Sequence, residues 1–449
     1  MTTLQQQSEP HEDTGTSEVA DAVDRARAAT VSWRRTAPAE RAACLRAAAD
    51  AVRAHVEDLA DDLTGTTGRL LRESRESATV AAALLDEAAV TGLAGGRSLA
   101  GASGAVDWVR HEPRGVVAVL TPWNDPYPAA AGLLAAALVT GNTVVHKPSE
   151  RSAGPGLHLA RLVRECLPAG VLEVVEGGPD VGRELVDLVD VVCHIGSSAS
   201  GREIRTVCAA RGAKAITENG GKDPLVVDAG VDPAWAASQV AIGAFTNAGQ
   251  LCTSVERVYL HRDVADAVTE ELVALARASV AGDPRDEATT LARLVDEQQL
   301  SVVQAQVEEA VRRGARVLCG GHRLDRDGPW FRATVLDRCE DDMEVMLEET
   351  FGPVAPLVTV DSWEEGLARA ATSRYGLAAT VLTPDARHAL QAVEELPVGT
   401  VKVNAVFGGA PGGSADPRGD SGAGRGYGPD LLGELVALKA VHWEPGPPA

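Results

Sequence analysis

From residue 115 onward the chain alternates short Val- and Ile-rich runs with longer mixed segments, and few folds accommodate that rhythm. Residues 116–120, 143–146, 172–175, 189–195 and 213–217 read as strands, with helical or turn-rich stretches at 127–140, 153–167, 179–187 and 199–211 between them. Such runs lack an alternating polar face, so they belong in a sheet buried on both sides. Helical crossovers then make the strands parallel. The fold class is α/β, with a Rossmann-like sheet whose crevice at the carboxyl ends of the strands is a common nucleotide site. A second alternating block follows: helices 233–247, 263–280 and 296–313, and strands 256–261, 315–319, 354–360, 378–383 and 399–404. Ahead of both, residues 18–91 read as helices. Leu45, Ala49, Val52, Val56, Leu59 and Leu63 form one apolar stripe, and Pro38 suits a first turn.

Composition narrows the function. The chain has 449 residues, 45% of them hydrophobic and 24% charged, enough to build large cores in about three domains. A formal charge of −22 repels nucleic acid and anionic membranes, so neither is an expected partner. The longest apolar stretch, 129–139, is too short to span a bilayer, and the polar, Gln-rich segment 1–16 reads as a disordered arm rather than a signal peptide. Seven cysteines form no CxxC pair, which fits reduced thiols and a cytoplasmic location; no metal is expected. Lysines number five, at 147, 214, 222, 402 and 439. Each therefore calls for its own explanation.

Two segments together describe a reaction. Cys252 follows the small-residue run Asn247-Ala248-Gly249-Gln250, and Glu218, thirty-four positions upstream, precedes Asn219-Gly220-Gly221-Lys222. A thiolate can add to an electrophilic carbon, and a carboxylate can then activate water to release the product. Further motifs sit at strand ends. Thr121-Pro122-Trp123-Asn124 places a carboxamide where it could stabilise an oxyanion, although an isolated Asn there more often satisfies its own turn. Lys147 and Glu150 could hold ribose hydroxyls or form a plain surface ion pair. Gly196-Ser197 opens a helix whose free N–H groups could face a pyrophosphate, a weak signal by itself. Glu349-Thr350-Phe351-Gly352-Pro353 ends an acidic run that otherwise reads as a solvated face. Six of the seven cysteines should be inert packing.

The joint order of these motifs resembles the aldehyde dehydrogenase superfamily from about residue 18 to the end. The matching residues are PWN at 122–124, KPSE at 147–150, GS at 196–197, E-x-GGK at 218–222, GQxC at 249–252 and E-x-FGPV at 349–354. The resemblance implies Cys252 as nucleophile, Asn124 with the Cys252 N–H as oxyanion donors, and Glu218 as the base that hydrolyses a thioester. It implies NAD(P) held by Thr121, Trp123, Lys147, Glu150, Gly196, Ser197, Glu349 and Phe351. NAD is preferred, because a carboxylate at Glu150 accepts from ribose hydroxyls and repels a 2′-phosphate. It also implies a coenzyme domain over 1–98 and 114–220 and a catalytic domain over 221–420. A small β oligomerisation element over 99–113 and 421–449 would build a homodimer or homotetramer.

The alternatives are a coenzyme A-acylating relative, which often lacks a base at 218, and a catalytically silent binding subunit. The chain also departs from the family pattern. The N-terminal strand pair is missing, Asp125 and Asn219 replace apolar residues, His194-Ile195 replaces Phe-Thr, and the loop 416–425 is remodelled. Asp125, Tyr127, Phe407 and that tail are expected to give a more polar pocket for an aldehyde whose identity the sequence leaves open.

Overall fold

The computed structural model describes residues 16–91, 98–100, 105–408, 414–444 and 446. The expectations for the N-terminal arm up to residue 15 and for residues 409–413 of the expected catalytic domain lie outside the described residues.

Five strands, Val116–Leu120, Thr143–Lys147, Leu172–Val174, Val191–Gly196 and Lys214–Asn219, pair in parallel. Across the sheet they run in the order 214–219, 191–196, 116–120, 143–147, 172–174. The order reverses between 116–120 and 191–196, which opens a crevice at their carboxyl ends. Alternate side chains of one strand feed two cores. Val117 and Val119 pack with the helices Pro38–Ala54, Leu71–Val90 and Pro126–Val139, while Val116, Ala118 and Leu120 pack with Thr16–Trp33, Pro179–Leu188 and Ser198–Arg211. Burial on both faces explains the unbroken apolar runs.

The N-terminal stripe is two helices rather than one. Pro38–Ala54 stops at His55 (φ −114°, ψ 20°) and Val56–Thr67 resumes the same apolar face. The His55 ring bonds the Ala51 carbonyl at 2.8 Å, taking the acceptor that its own backbone N–H would need to continue the helix.

A second sheet of seven strands runs Arg316–Cys319, Thr334–Asp337, Val354–Val360, Val255–His261, Asp223–Val227, Ala378–Leu382, Thr400–Val403. Only the edge strand Arg316–Cys319 is antiparallel. Its core unites Val226, Val258, Leu357 and Val381 with the helices Pro233–Phe245, Arg262–Ala278 and Glu297–Arg312. Sequence reading did not find the strands Asp223–Val227 and Thr334–Asp337 or the helices Trp363–Ala371 and Ala386–Glu395.

Ser98–Ala100, Val106–Pro113 and Val436–Trp443 make a separate antiparallel sheet, with the Trp108 and Trp443 rings stacked 6.3 Å apart. The tail does not join it at residue 421. Gly422–Ala423 first pairs antiparallel with Lys214–Asn219, satisfying an edge that would otherwise leave backbone groups unpaired. Among the described residues no helix is long and apolar enough to cross a membrane.

Candidate active site

The two strands flanking the crevice each deliver a motif to it. Val116–Leu120 runs into Thr121-Pro122-Trp123-Asn124, and Val191–Gly196 runs into Ser197, which caps the helix Ser198–Arg211 by accepting from the Ser200 N–H. Asn124 is buried and does not close its own turn. Its Nδ2 donates to the Gln250 carbonyl at 2.9 Å, two residues before Cys252. An amide nitrogen carries two hydrogens, so one is left for the cavity.

Cys252 sits beyond a strained turn. Asn247, Ala248 and Gly249 are all left-handed, at φ 49°, 54° and 72°. A non-glycine residue in that region costs about 1–2 kcal/mol. The Gln250 side chain holds the turn by donating to the Asn247 carbonyl at 2.9 Å and accepting from the Val295 N–H at 2.9 Å. Gly249 has a second reason to be glycine: a Cβ there would lie 2.1 Å from the Gly352 carbonyl oxygen. The GQxC and FGP motifs, distant in sequence, touch at this point.

Glu218 stands at the end of Lys214–Asn219, and the paired glycines after it have a steric purpose. A Cβ on Gly220 would fall 2.3 Å from Glu349 Oε1, and one on Gly221 would fall 2.8 Å from the Cys252 carbonyl oxygen. The Gly221 N–H donates to Glu349 Oε1 at 3.2 Å. Lys222 is fully buried and faces away from this chemistry: its Nζ meets Glu256 Oε2 at 2.6 Å and donates to Thr350 Oγ1 at 2.9 Å. Glu256 in turn accepts from the N–H groups of Thr350 and Phe351 at 2.7 and 2.8 Å. One buried ion pair therefore fixes the loop that carries Glu349 and Phe351, which is not the solvated face that an acidic run suggests.

Burial dominates the electrostatics. It pushes the Glu218 carboxyl up to about 7 and Asp223 up to about 7. Glu349 rises to about 8 through burial and then the nearby Glu256 carboxylate. Burial also raises the Cys252 thiol far above its ordinary value, and Glu218, Asp223 and Glu349 add to that effect while the Lys402 cation opposes it. Of the seven cysteines, Cys252 is the one on the cavity wall.

Asn124, Glu218 and Cys252 line one cavity of about 990 Å³ together with Thr121, Trp123, Lys147, Glu150, Gly196, Ser197, Glu349 and Phe351. Lys147 is buried at its strand end and reaches the more exposed Glu150 at 3.3 Å. Thr121 Oγ1 bonds the neutral, buried His146 Nε2 at 3.0 Å. Trp123 meets Phe351 edge-on at 5.5 Å and lies under the Arg151 guanidinium at 4.7 Å. At Gly196 a Cβ would sit 2.7 Å from His194 Nε2, so the turn has no room for a side chain on that side. A buried cation, a helix start with free N–H groups, a bare glycine and an aromatic corner along one crevice fit an extended dinucleotide.

Sequence reading missed the brace behind the amide. Arg69, 6% exposed, donates to the Asn124 carbonyl at 3.2 Å and to Asp125 Oδ1 at 2.7 Å. Its neighbour Glu73 accepts from the Asn247 N–H at 3.5 Å, at the strained turn before Cys252. In sequence Arg69 and Glu73 are simply an opposite-charge pair four positions apart, and nothing local marks them as buried.

The expected polar pocket needs two corrections. Tyr127 is fully buried and donates to the Leu59 carbonyl at 2.6 Å, because its helix turns that face to the core. The remodelled loop does not line the cavity over residues 416–425; it packs behind Glu218, with Ser421 Oγ donating to the Gly220 carbonyl at 2.7 Å and the Asn219 N–H donating to the Ser421 carbonyl at 2.8 Å. The next residues, Gly426 to Pro429, reach the cavity instead.

A model of the aldehyde dehydrogenase family matches residues 5–441. The 3,6-anhydro-alpha-L-galactose dehydrogenase of Streptomyces coelicolor is 38% identical over 395 residues, 85% of this chain and 80% of that protein. The alpha-ketoglutarate semialdehyde dehydrogenase of Haloferax volcanii is 36% identical over 397 residues, 86% and 82% of the two chains. Among solved structures, an NAD-dependent aldehyde dehydrogenase from Sinorhizobium meliloti has a TM-score of 0.94 at 32% identity, covering 97% of this chain and 89% of that one. An NADP-dependent enzyme of E. coli has a TM-score of 0.93 at 31% identity, covering 96% and 91%.

Proposed function

The chain belongs to the aldehyde dehydrogenase family, an aldehyde-oxidising oxidoreductase, and from that premise we propose that it converts an aldehyde to a carboxylic acid through a thioester on Cys252. The observation that carries this reading is the convergence of a thiol, a carboxamide and a carboxyl near neutrality on one cavity wall. Cys252, once ionised, adds to the aldehyde carbon. Lys402 is the cation that favours that ionisation against three carboxylates. The oxyanion is met by the second N–H of Asn124 and the Cys252 backbone N–H. The chemistry a bound nicotinamide supplies is acceptance of the hydride that leaves as the thioester forms. Glu218 then takes a proton from water, whose oxygen attacks the thioester carbon and frees the Cys252 sulfur. A base at 218 on the cavity wall supports hydrolysis over transfer to coenzyme A.

Lys147 and Glu150 would hold the adenosine ribose, Gly196 and Ser197 the pyrophosphate, Glu349 and Phe351 the nicotinamide ribose, and Thr121 and Trp123 the wall beside it. The Glu150 carboxylate supports NAD over NADP, and a kcat/KM for NAD⁺ well above that for NADP⁺ is the expected result. Leu438 and Trp443 lie exposed on the sheet that Val436–Trp443 forms with Val106–Pro113, which supports assembly through that sheet. Truncation after Leu431 should then give monomer or aggregate by size-exclusion chromatography. Activity itself is tested by following NADH absorbance over a panel of aldehydes, with Cys252→Ala as the control. A panel without Cys252-dependent NADH formation would overturn the reading.

A further inference from the structure

We propose that the arm of the cavity leading outward from Cys252 selects uncharged aldehydes with a long or bulky aliphatic body. This rests on the oxidation reading above and names its substrate class. Two helices wall the arm. Leu71–Val90 contributes Val80 and Leu84, Pro126–Val139 contributes Ala129, Gly132 and Leu133, and Leu432 closes a side. Ala129 and Gly132 fall one turn apart on the same helical face, so the wall there is set back. A Cβ on Gly132 would meet Leu84 Cδ1 at 3.8 Å, an ordinary contact, and nothing nearer, so a methyl-sized group fits there and a larger one meets the facing helix. From Ser77 to Glu87 the facing helix gives a wall about 15 Å long.

The charged groups on this arm do not offer themselves to a substrate. Among the described residues lining it, Arg69 is the cation; it is buried between two carboxylates, with Asp125 Oδ1 at 2.7 Å from Nη1 and Glu73 Oε2 at 3.9 Å from Nε. Asp125 Oδ1 also accepts from Ser77 Oγ, so this carboxylate is spent on the wall. Farther out, Glu76 and Glu87 lie on the same face of Leu71–Val90 and repel a carboxylate approaching from solvent. An aldehyde bearing an ω-carboxylate finds no free cation here, whereas each methylene of a neutral chain gains burial against aliphatic side chains.

The test is a chain-length series from propanal to decanal with saturating NAD⁺, read as kcat/KM, beside ω-carboxylate aldehydes of matched length. Burial of one methylene predicts a rise of roughly two- to fourfold per added carbon until the arm is filled. The carboxylate-bearing aldehyde should fall at least about tenfold below its neutral match. Gly132→Phe, and separately Val80→Phe from the opposite helix, should lower the decanal-to-propanal ratio of kcat/KM by about tenfold or more. Propanal oxidation with no gain along the series, or a preference for the carboxylate, overturns the inference and leaves aldehyde oxidation standing. Absence of Cys252-dependent NADH with every aldehyde overturns both.

Discussion

Burial of Glu218 makes a quantitative prediction about turnover. A carboxyl pushed up to about 7 is about half ionised at pH 7, a tenth ionised at pH 6 and nine-tenths ionised at pH 8. Only the ionised form can take a proton from water, so thioester hydrolysis should fall about fivefold from pH 7 to pH 6 and rise less than twofold from pH 7 to pH 8. A carboxyl at its ordinary value near 4.5 would give a flat profile across that range. Replacing Glu218 with Gln keeps the shape and removes the base, which should cost roughly 10²- to 10⁴-fold in steady turnover. Stopped-flow absorbance separates the steps. The first NADH per Cys252 reports thioester formation and should persist in Glu218→Gln as a burst, followed by a nearly stalled steady phase. Variant turnover within twofold of the parent, a flat pH profile, or a burst lost together with turnover would refute the assignment of Glu218 as the hydrolytic base.

Other variants probe the surrounding wall. Asn124→Ala should lower kcat by roughly 10²–10³ with little change in the KM for NAD⁺, measured by steady-state kinetics, since one oxyanion donor is removed. Arg69→Ala should lower kcat by about tenfold through a misplaced Asn124 amide, with Arg69→Lys recovering most of the rate because it keeps the charge beside Asp125. Glu256→Ala leaves the buried Lys222 ammonium unpaired and should destabilise the fold by about 3–5 kcal/mol in urea unfolding. For Glu218, Asp223 and Glu349 the folded carboxyls bind a proton more tightly than the unfolded ones, so stability falls as pH rises from about 4.5 through 7 to 8. Thermal melts should show a lower Tm at pH 8 than at pH 6, with a shallower slope in Asp223→Asn.

Much of the scaffold was legible because burial on both faces of a parallel sheet writes itself into sequence as unbroken apolar runs. The strand 116–120 was placed to the residue. Asp223–Val227 escaped because Asp223-Pro224 reads as a turn, yet Asp223 accepts the Ala378 N–H at 3.1 Å and begins a central strand. Ala386–Glu395 escaped because its polar composition hides a narrow buried stripe, of which only Ala392 is fully covered. The break at His55 depends on one ring nitrogen finding a carbonyl, a choice that periodicity does not record.

The sequence by itself determined the alternating architecture, the thiol with its upstream carboxyl and the set of motifs around them, since these rest on residue type, spacing and order. Only the tertiary structure decided what each group became. It spent Asp125 on Arg69, turned Tyr127 into the core, gave Lys222 a structural partner and lifted Glu218 toward neutrality. Burial and hydrogen-bond partners arise from segments far apart in the chain, and they set the charge, orientation and reach of every side chain in the cavity.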